Sequence, residues 1–197
     1  MLRRFGAFPA AGVDHTVEFV PGFLTAESEW GKAWGIERVT VADRRGREAA
    51  YTARLAEKRA ATEPPRHRSG EMVVDVIEAL VTGTPVDLPL NVPNAGQCPD
   101  LPPDVVVESI CTVDSNGIRG RDRAVAPPAL ATLLRRVAAA QELTVDAARS
   151  GSRDTLLAAL FTDPLTSALD HARLVELADA IVDATAPWLP QFAASSS

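Results

Sequence analysis

The 197-residue sequence predicts an α+β fold, in which several helices pack with a small mixed or antiparallel sheet. Three observations indicate this fold class. Segments 87–92 and 105–113 have the composition of strands. In the second segment, odd-numbered and even-numbered residues form two different sets of side chains, as the two faces of a strand do. Segment 73–81 repeats apolar residues at helical spacing. The last third of the chain is rich in helix-forming residues, so strands in the middle precede several helices.

Turn and cap residues bound the central elements. Ser69 is a predicted N-cap for the helix over 73–81, and Gly83 is predicted to end it. Between the two predicted strands, the run 91–96 predicts a turn, because glycine at its end can take a positive φ angle without steric cost. Residues 114–117, Asp-Ser-Asn-Gly, predict a second turn.

The flanking regions carry weaker patterns. Residues 5–24 mix aromatics, prolines and glycines, which predicts an ordered, irregular segment. Residues 36–42 are β-branched with weak alternation, which favours a strand, and residues 44–61 are helix-prone. Ser150-Gly151 is predicted to end one helix, and Asp163-Pro164 is predicted to begin the last one.

Length and composition predict one domain over residues 1–192, followed by a disordered tail at 193–197. The net charge of -6 argues against a nucleic-acid surface and against anionic lipid. No stretch approaches the roughly 20 apolar residues of a membrane helix. We expect Cys98 and Cys111 to be free thiols. Because the sequence has no signal-peptide pattern, we expect the protein to be cytoplasmic.

Several motifs of enzyme chemistry are missing from the sequence. It contains no Gly-rich dinucleotide turn, no His-Glu-x-x-His, no paired Cys-x-x-Cys and no serine nucleophile elbow. Neither cysteine has a second ligand at metal-binding spacing. We therefore assign no catalytic residue and no metal ligand from the sequence.

Scattered polar residues remain as candidates for binding. His15 lies in the irregular N-terminal segment, where a site role and a structural role are both open. His67, between two arginines, suits either an anion such as a sugar carboxylate or a flexible basic loop. His171 is expected on a solvated helix face. Asn94 in the 91–96 turn has an amide that either binds a sugar or bonds its own backbone.

Three stretches, 2–23, 68–118 and 141–165, resemble the C-terminal part of glycoside hydrolase family 4. They contain, in order, NVPNAG, DLPPDVVVE, VDSNGI and QELTVDAA. The combination is specific, although any one motif alone would be weak. Residues 24–67 match poorly and look shortened. The resemblance implies a fold like the C-terminal domain of the lactate dehydrogenase-like glycosidases.

The resemblance also implies a mechanism. Family 4 glycosidases use NAD rather than a pair of carboxylates. Hydride leaves carbon 3 of the sugar, a base removes the proton on carbon 2, and the aglycone is eliminated. A divalent metal, usually manganese, polarises the oxygen on carbon 3. NAD and Mn²⁺ are bound largely by a Rossmann-type half, which this chain lacks, so we expect it to bind neither alone and to be inactive alone.

Site residues are carried over one by one. The resemblance places His15, Arg68 and Asn94 nearest the sugar pocket. The catalytic base of the 6-phospho-glycosidase branch is a tyrosine in the segment that aligns with 69–74, where this chain has Met72 and no tyrosine. The only tyrosine, Tyr51, lies in the poorly matching region.

The expected ligand is a carbohydrate, either a neutral glycoside or a uronide. The expected protein partner is a second copy of the chain or a separate Rossmann-type chain. An alternative hypothesis is a non-catalytic dimerisation or binding module derived from the family, which the missing tyrosine favours. A complete enzyme with another mechanism would need a nucleophile or carboxylate pair that the sequence does not place.

Overall fold

A computed structural model describes residues 2–7, 13–60, 70–121 and 123–194. The α-helices are α1 (Leu2–Phe5), α2 (Val13–Phe19), α3 (Val41–Ala60), α4 (Val73–Thr82), α5 (Pro128–Ser150), α6 (Arg153–Thr162), α7 (His171–Thr185) and α8 (Gln191–Ala194). The strands are β1 (Val86–Pro93), β2 (Val106–Asp114) and β3 (Gly117–Gly120). Short 3-10 helices lie at Lys32–Trp34 and Pro164–Thr166. The predicted α+β class is confirmed.

The chain divides into two compact units, which are described separately. The first contains Met1–Ile36, Pro89–Cys111 and Gly120–Ser197, and the second contains Glu37–Leu88 and Thr112–Arg119. The single domain over 1–192 stays a prediction. Of the predicted tail, the first two residues belong to α8 and the last three lie outside the described residues.

The three strands form an antiparallel sheet in the order β1-β2-β3. The predicted alternation along the second strand is confirmed, since Cys111 and Val113 are fully buried while Val106 and Ile110 are exposed. The second predicted turn is also confirmed, with Gly117 at a φ angle of 105°. The chain then reverses into β3, a strand that the sequence pattern did not predict.

An ion pair fixes this hairpin. The two terminal guanidinium nitrogens of Arg119, Nη1 and Nη2, donate to the Asp114 carboxylate at 3.0 and 2.6 Å, and the Asn116 N–H donates to the same carboxylate at 2.7 Å. These hydrogen bonds favour the ionised form and hold the pKa of Asp114 at about 2, below its ordinary value of 3.8. The charged carboxylate therefore stabilises the folded hairpin.

Asp114→Asn is expected to lower the melting temperature at pH 7 by about 3–6 °C. Because the pKa of Asp114 is depressed in the folded state, its contribution is complete above about pH 4 and is lost as the pH falls towards 2. Thermal unfolding from pH 7 to 2 should show a shallower acid loss for the variant. Asp104→Asn, at an exposed position, is the control. Parallel acid curves for Asp114→Asn and the native protein would contradict the prediction.

Small side chains let the helices of the first unit approach closely. Its core cluster contains Ala147 of α5, Leu156 of α6, Ala178 and Val182 of α7, and Phe192 of α8. The caps define where these helices begin: the Ser152 hydroxyl accepts the Thr155 N–H at 3.1 Å, and the Asp170 carboxylate accepts the Arg173 N–H at 2.9 Å.

Three expectations about local structure need correction. The irregular segment 5–24 contains α2, which is anchored by the buried Val17. Residues 36–42 form no strand: Thr40 and Asp43 each accept the other's backbone N–H, a capping box that starts α3 at residue 41. Asp163-Pro164 begins only a 3-10 helix, because the last long helix has its own cap at Asp170.

Two helices of the second unit match their predictions. The helix-prone segment 44–61 is α3, and the segment 73–81 is α4. Gly83 ends α4 with a φ angle of 77°, and its N–H donates to the Ala79 carbonyl at 2.9 Å. The predicted cap Ser69 lies outside the described residues, and Met72 occupies the cap position. None of the described helices is long and apolar enough to cross a membrane.

Candidate functional site

A buried asparagine shapes the loop between β1 and β2. Asn94 is 3% exposed, and its amide nitrogen donates to the carbonyls of Cys98, Leu101 and Pro102 at 2.8 to 3.1 Å. Its side-chain oxygen accepts the N–H groups of Gly96 and Cys98. Gly96 has a φ angle of 109°, as the turn prediction requires. One side chain thus organises the whole loop from within.

Other hydrogen bonds attach this loop to its neighbours in the first unit. The Gln97 carbonyl accepts the Ala124 N–H at 2.8 Å, and the Asp100 carboxylate accepts the Ala126 N–H at 2.8 Å. Arg135 of α5 donates to the Asp100 carbonyl at 3.0 Å. These hydrogen bonds hold the loop at residues 97 and 100, so the loop forms a fixed wall.

That wall borders an open groove of about 480 Å³ between β2 and α5. Its walls are mainly apolar, including Leu101, Val105, Val107, Leu134 and Val137. Polar side chains come from Gln97, Glu108, Ser109 and Gln141. A concave apolar surface with a few polar groups is the usual character of a ligand site.

A second groove, of about 350 Å³, lies next to the first along α5. It is bounded by Phe19 at the end of α2 and by Pro164. Val137 and Gln141 line both grooves, because residues four apart lie on one helix face. This face of α5, between the Asn94 loop and α2, is the candidate functional site.

The structure describes two of the three predicted sugar-site residues. His15 is exposed on α2, with its Nδ1 3.9 Å from a Glu18 carboxylate oxygen. Asn94 is buried, and its amide is committed to its own loop. Arg68 and His67 lie outside the described residues. The sugar-site role of His15, Arg68 and Asn94 stays a prediction.

The described residues do not fit a manganese ion. Within 2–7, 13–60, 70–121 and 123–194, no three His, Cys, Asp or Glu side chains come together as a possible metal site. Cys98 and Cys111 are free thiols, and burial raises the pKa of Cys111, which disfavours the thiolate that binds metals. We therefore derive no catalytic step from a metal held by these residues.

Sequence reasoning missed the groove residues on β2 and α5. Glu108 and Gln141 are 33 positions apart in the sequence. Each lies at one end of a family motif, Glu108 in DLPPDVVVE and Gln141 in QELTVDAA, but neither motif by itself indicated a binding role. Their places on a strand and on a helix were predictable, but not that the two elements border one groove.

The family model of the "Family 4 glycosyl hydrolase C-terminal domain" matches residues 1–166. The chain therefore belongs to glycosyl hydrolase family 4, within its C-terminal domain. This result confirms the family resemblance that the sequence motifs indicated.

Similar proteins agree with this assignment. An α-galactosidase of Rhizobium meliloti (strain 1021) is 32% identical over 98% of this chain. The crystal structure of the putative glucosidase lplD from Bacillus subtilis superposes with a TM-score of 0.82 and 25% identity, covering 91% of this chain and 41% of lplD. A 6-phospho-α-glucosidase from gut microorganisms, solved in complex with NAD and Mn²⁺, gives a TM-score of 0.57 at 28% identity, covering 75% of this chain and 34% of that enzyme.

The chain spans 42% of the length of the Rhizobium α-galactosidase. It therefore corresponds to less than half of that relative, and the family model that it matches is that of a C-terminal domain.

Proposed function

We propose that this chain is the sugar-binding and oligomerising portion of a family 4 glycosidase, which hydrolyses O-glycosyl bonds by NAD-dependent elimination. The match of the C-terminal domain model over residues 1–166 carries the proposal. The grooves beside α5 support it, because their mainly apolar walls with a few polar groups suit one face of a sugar ring or its aglycone. The substrate is a neutral glycoside or a uronide.

In this proposal the redox chemistry belongs to another part of the enzyme. The sequence contains no Gly-rich dinucleotide turn, so NAD and Mn²⁺ are bound by a Rossmann-type half outside these 197 residues. When bound, that half supplies the hydride acceptor and the Lewis acid. The 197 residues contribute the side of the sugar pocket that faces the Rossmann-type half. The enzyme works in the reducing cytoplasm, where the two free thiols stay reduced.

One observation favours a second candidate function. Met72 stands in the segment where the 6-phospho-glycosidase branch has its tyrosine base, and a thioether cannot remove a proton. This difference is compatible with a non-catalytic module that keeps the family fold for dimerisation or binding. In that case the chain would bind sugar or itself without supporting turnover.

Reconstitution tests the proposed function. The purified chain is expected to release no nitrophenol from nitrophenyl α-glycosides with NAD and Mn²⁺ present. Co-expressed with a family 4 nucleotide-binding half, it is expected to give cleavage that requires both cofactors. Cleavage by the 197 residues alone would overturn the proposal that NAD and Mn²⁺ are bound by a separate half. A stable complex without cleavage would favour the non-catalytic module.

In the same assembly, His15→Ala and Arg68→Ala are each expected to weaken glycoside binding about tenfold, the loss of one charged or hydrogen-bonded contact. Calorimetric titration with methyl α-galactoside and with galacturonic acid measures this loss and separates neutral from acidic sugars. His171→Ala is the control, since His171 is an exposed histidine at the start of α7 that contacts Phe161. Unchanged binding in both variants would remove these residues from the site.

A further inference from the structure

The two grooves beside α5 form one continuous trough. Val137 and Gln141 line both of them, and the lining side chains of α5 run at helical spacing from Leu134 in the first groove to Val145 in the second. These end residues are about 16 Å apart along the helix axis, at a rise of about 1.5 Å per residue. A pyranose ring with its hydroxyl groups spans only about half of that length. The trough is therefore too long for a single sugar.

The second groove has the chemistry of a sugar subsite. Phe19, which is 41% exposed, contributes an aromatic ring, and Gln141, Thr144 and Asp163 contribute polar side chains. The C–H groups on one face of a pyranose pack against an aromatic ring, while the hydroxyl groups at its edge bond polar side chains. The core of a protein interface is depleted of charged residues, so the Asp163 carboxylate favours a small polar ligand over another protein surface.

Gln141 lies at the junction of the two grooves. Its amide forms no hydrogen bond with another residue in the described part of the chain, so it is available to donate to one sugar hydroxyl and accept from another. His15 lies four positions before Phe19 on α2, so the two side chains share a face of that helix. The histidine predicted to lie near the sugar is thus on the same side of α2 as the ring that lines the second groove.

We propose that the second groove is a subsite for a second sugar unit, so that the preferred substrate is a disaccharide or a longer oligosaccharide. The terminal sugar occupies the larger groove beside β2, the next sugar packs on Phe19, and Gln141 bonds both units. This inference rests on the proposed function and names its substrate class.

Calorimetric titration of the assembly with the nucleotide-binding half tests the subsite, with Mn²⁺ omitted to prevent cleavage. Each single-sugar ligand is paired with a disaccharide of the same terminal sugar. The pairs are methyl α-galactoside with melibiose, methyl α-glucoside with isomaltose, and galacturonic acid with digalacturonic acid. In the pair that binds, we expect the disaccharide to bind about tenfold tighter, because it buries one further apolar face.

Phe19→Ala is expected to remove this preference while changing the affinity for the single sugar less than about threefold. Phe161→Ala is the matched control, because Phe161 is 49% exposed and lines neither groove. Gln141→Leu keeps a side chain of similar size and helix propensity, and is also expected to reduce the preference. Circular dichroism should show the native helix content in all three variants.

Equal affinities for the two ligands of a pair would overturn the subsite and leave the glycosidase assignment standing. A preference that Phe19→Ala and Gln141→Leu both leave unchanged would do the same. If these variants loosen the assembly without changing the preference, another part of the enzyme fills the second groove and the subsite is wrong. If no sugar of any pair binds, the proposed function itself fails.

Discussion

Gly151→Ala is expected to lower the free energy of unfolding of the first unit by about 3–5 kcal/mol, enough to unfold a marginal domain at 37 °C. Gly151 ends α5 with a φ angle of 72°, a conformation that costs an L-residue roughly 1–2 kcal/mol. A Cβ atom there would also overlap the backbone carbonyl of Gln191 at the start of α8. Since backbone cannot rotate away as a side chain can, α8 would have to move off the core that Phe192 completes.

Urea unfolding followed by circular dichroism measures the loss. Gly46→Ala is the matched control, because Gly46 lies within α3 and has nothing within 4 Å of an added Cβ. This second change is expected to raise stability by about 0.5–1 kcal/mol, as alanine is the better helix former. If Gly151→Ala unfolded at the same urea concentration as the native chain, the close approach of α8 to residue 151 would be wrong.

Asn94→Ala is expected to cost about 2–4 kcal/mol and to loosen the groove wall. The change removes three donated and two accepted hydrogen bonds from a side chain that is 3% exposed. Carbonyl groups that face inward are left without their donor, which is more costly than the loss of an exposed hydrogen bond. The wall beside β2 should then sample several conformations.

Hydrogen exchange read at single amides distinguishes this local effect from global destabilisation. The N–H groups of Gly96 and Cys98, which Asn94 accepts, should exchange at least tenfold faster, while amides in α7 change only with global stability. Asn91→Ala, at an exposed position of β1, should change neither. Equal protection of the loop in Asn94→Ala would show that its backbone holds its shape without the amide.

The two outcomes bear on the sugar site differently. In the proposed function, Asn94 acts on the sugar by fixing the shape of the loop, since its amide groups are already bonded within the loop. His15 is exposed and free to reach a ligand directly, with Glu18 as its neighbour. A shape effect should weaken all ligands of the groove together, whereas a direct contact should distinguish neutral sugars from uronides.

Local patterns in the sequence determined many of the helices, strands and turns of this protein. Alternation along 105–113, helical spacing over 73–81 and the glycines at 83, 96 and 117 each gave the correct element or turn, because they depend on steric rules within a few residues. The motifs in order also sufficed to identify the family that the domain match confirms.

Only the tertiary structure decided which faces these elements present. Helical spacing shows that α4 has an apolar face, yet not that the face is exposed. The sequence likewise left open whether the amide of Asn94 turns inward to its own loop. It also did not predict that Gln97, Glu108 and Gln141 line one groove. Burial and side-chain contacts depend on what packs across from a residue, and that partner lies far away in the chain.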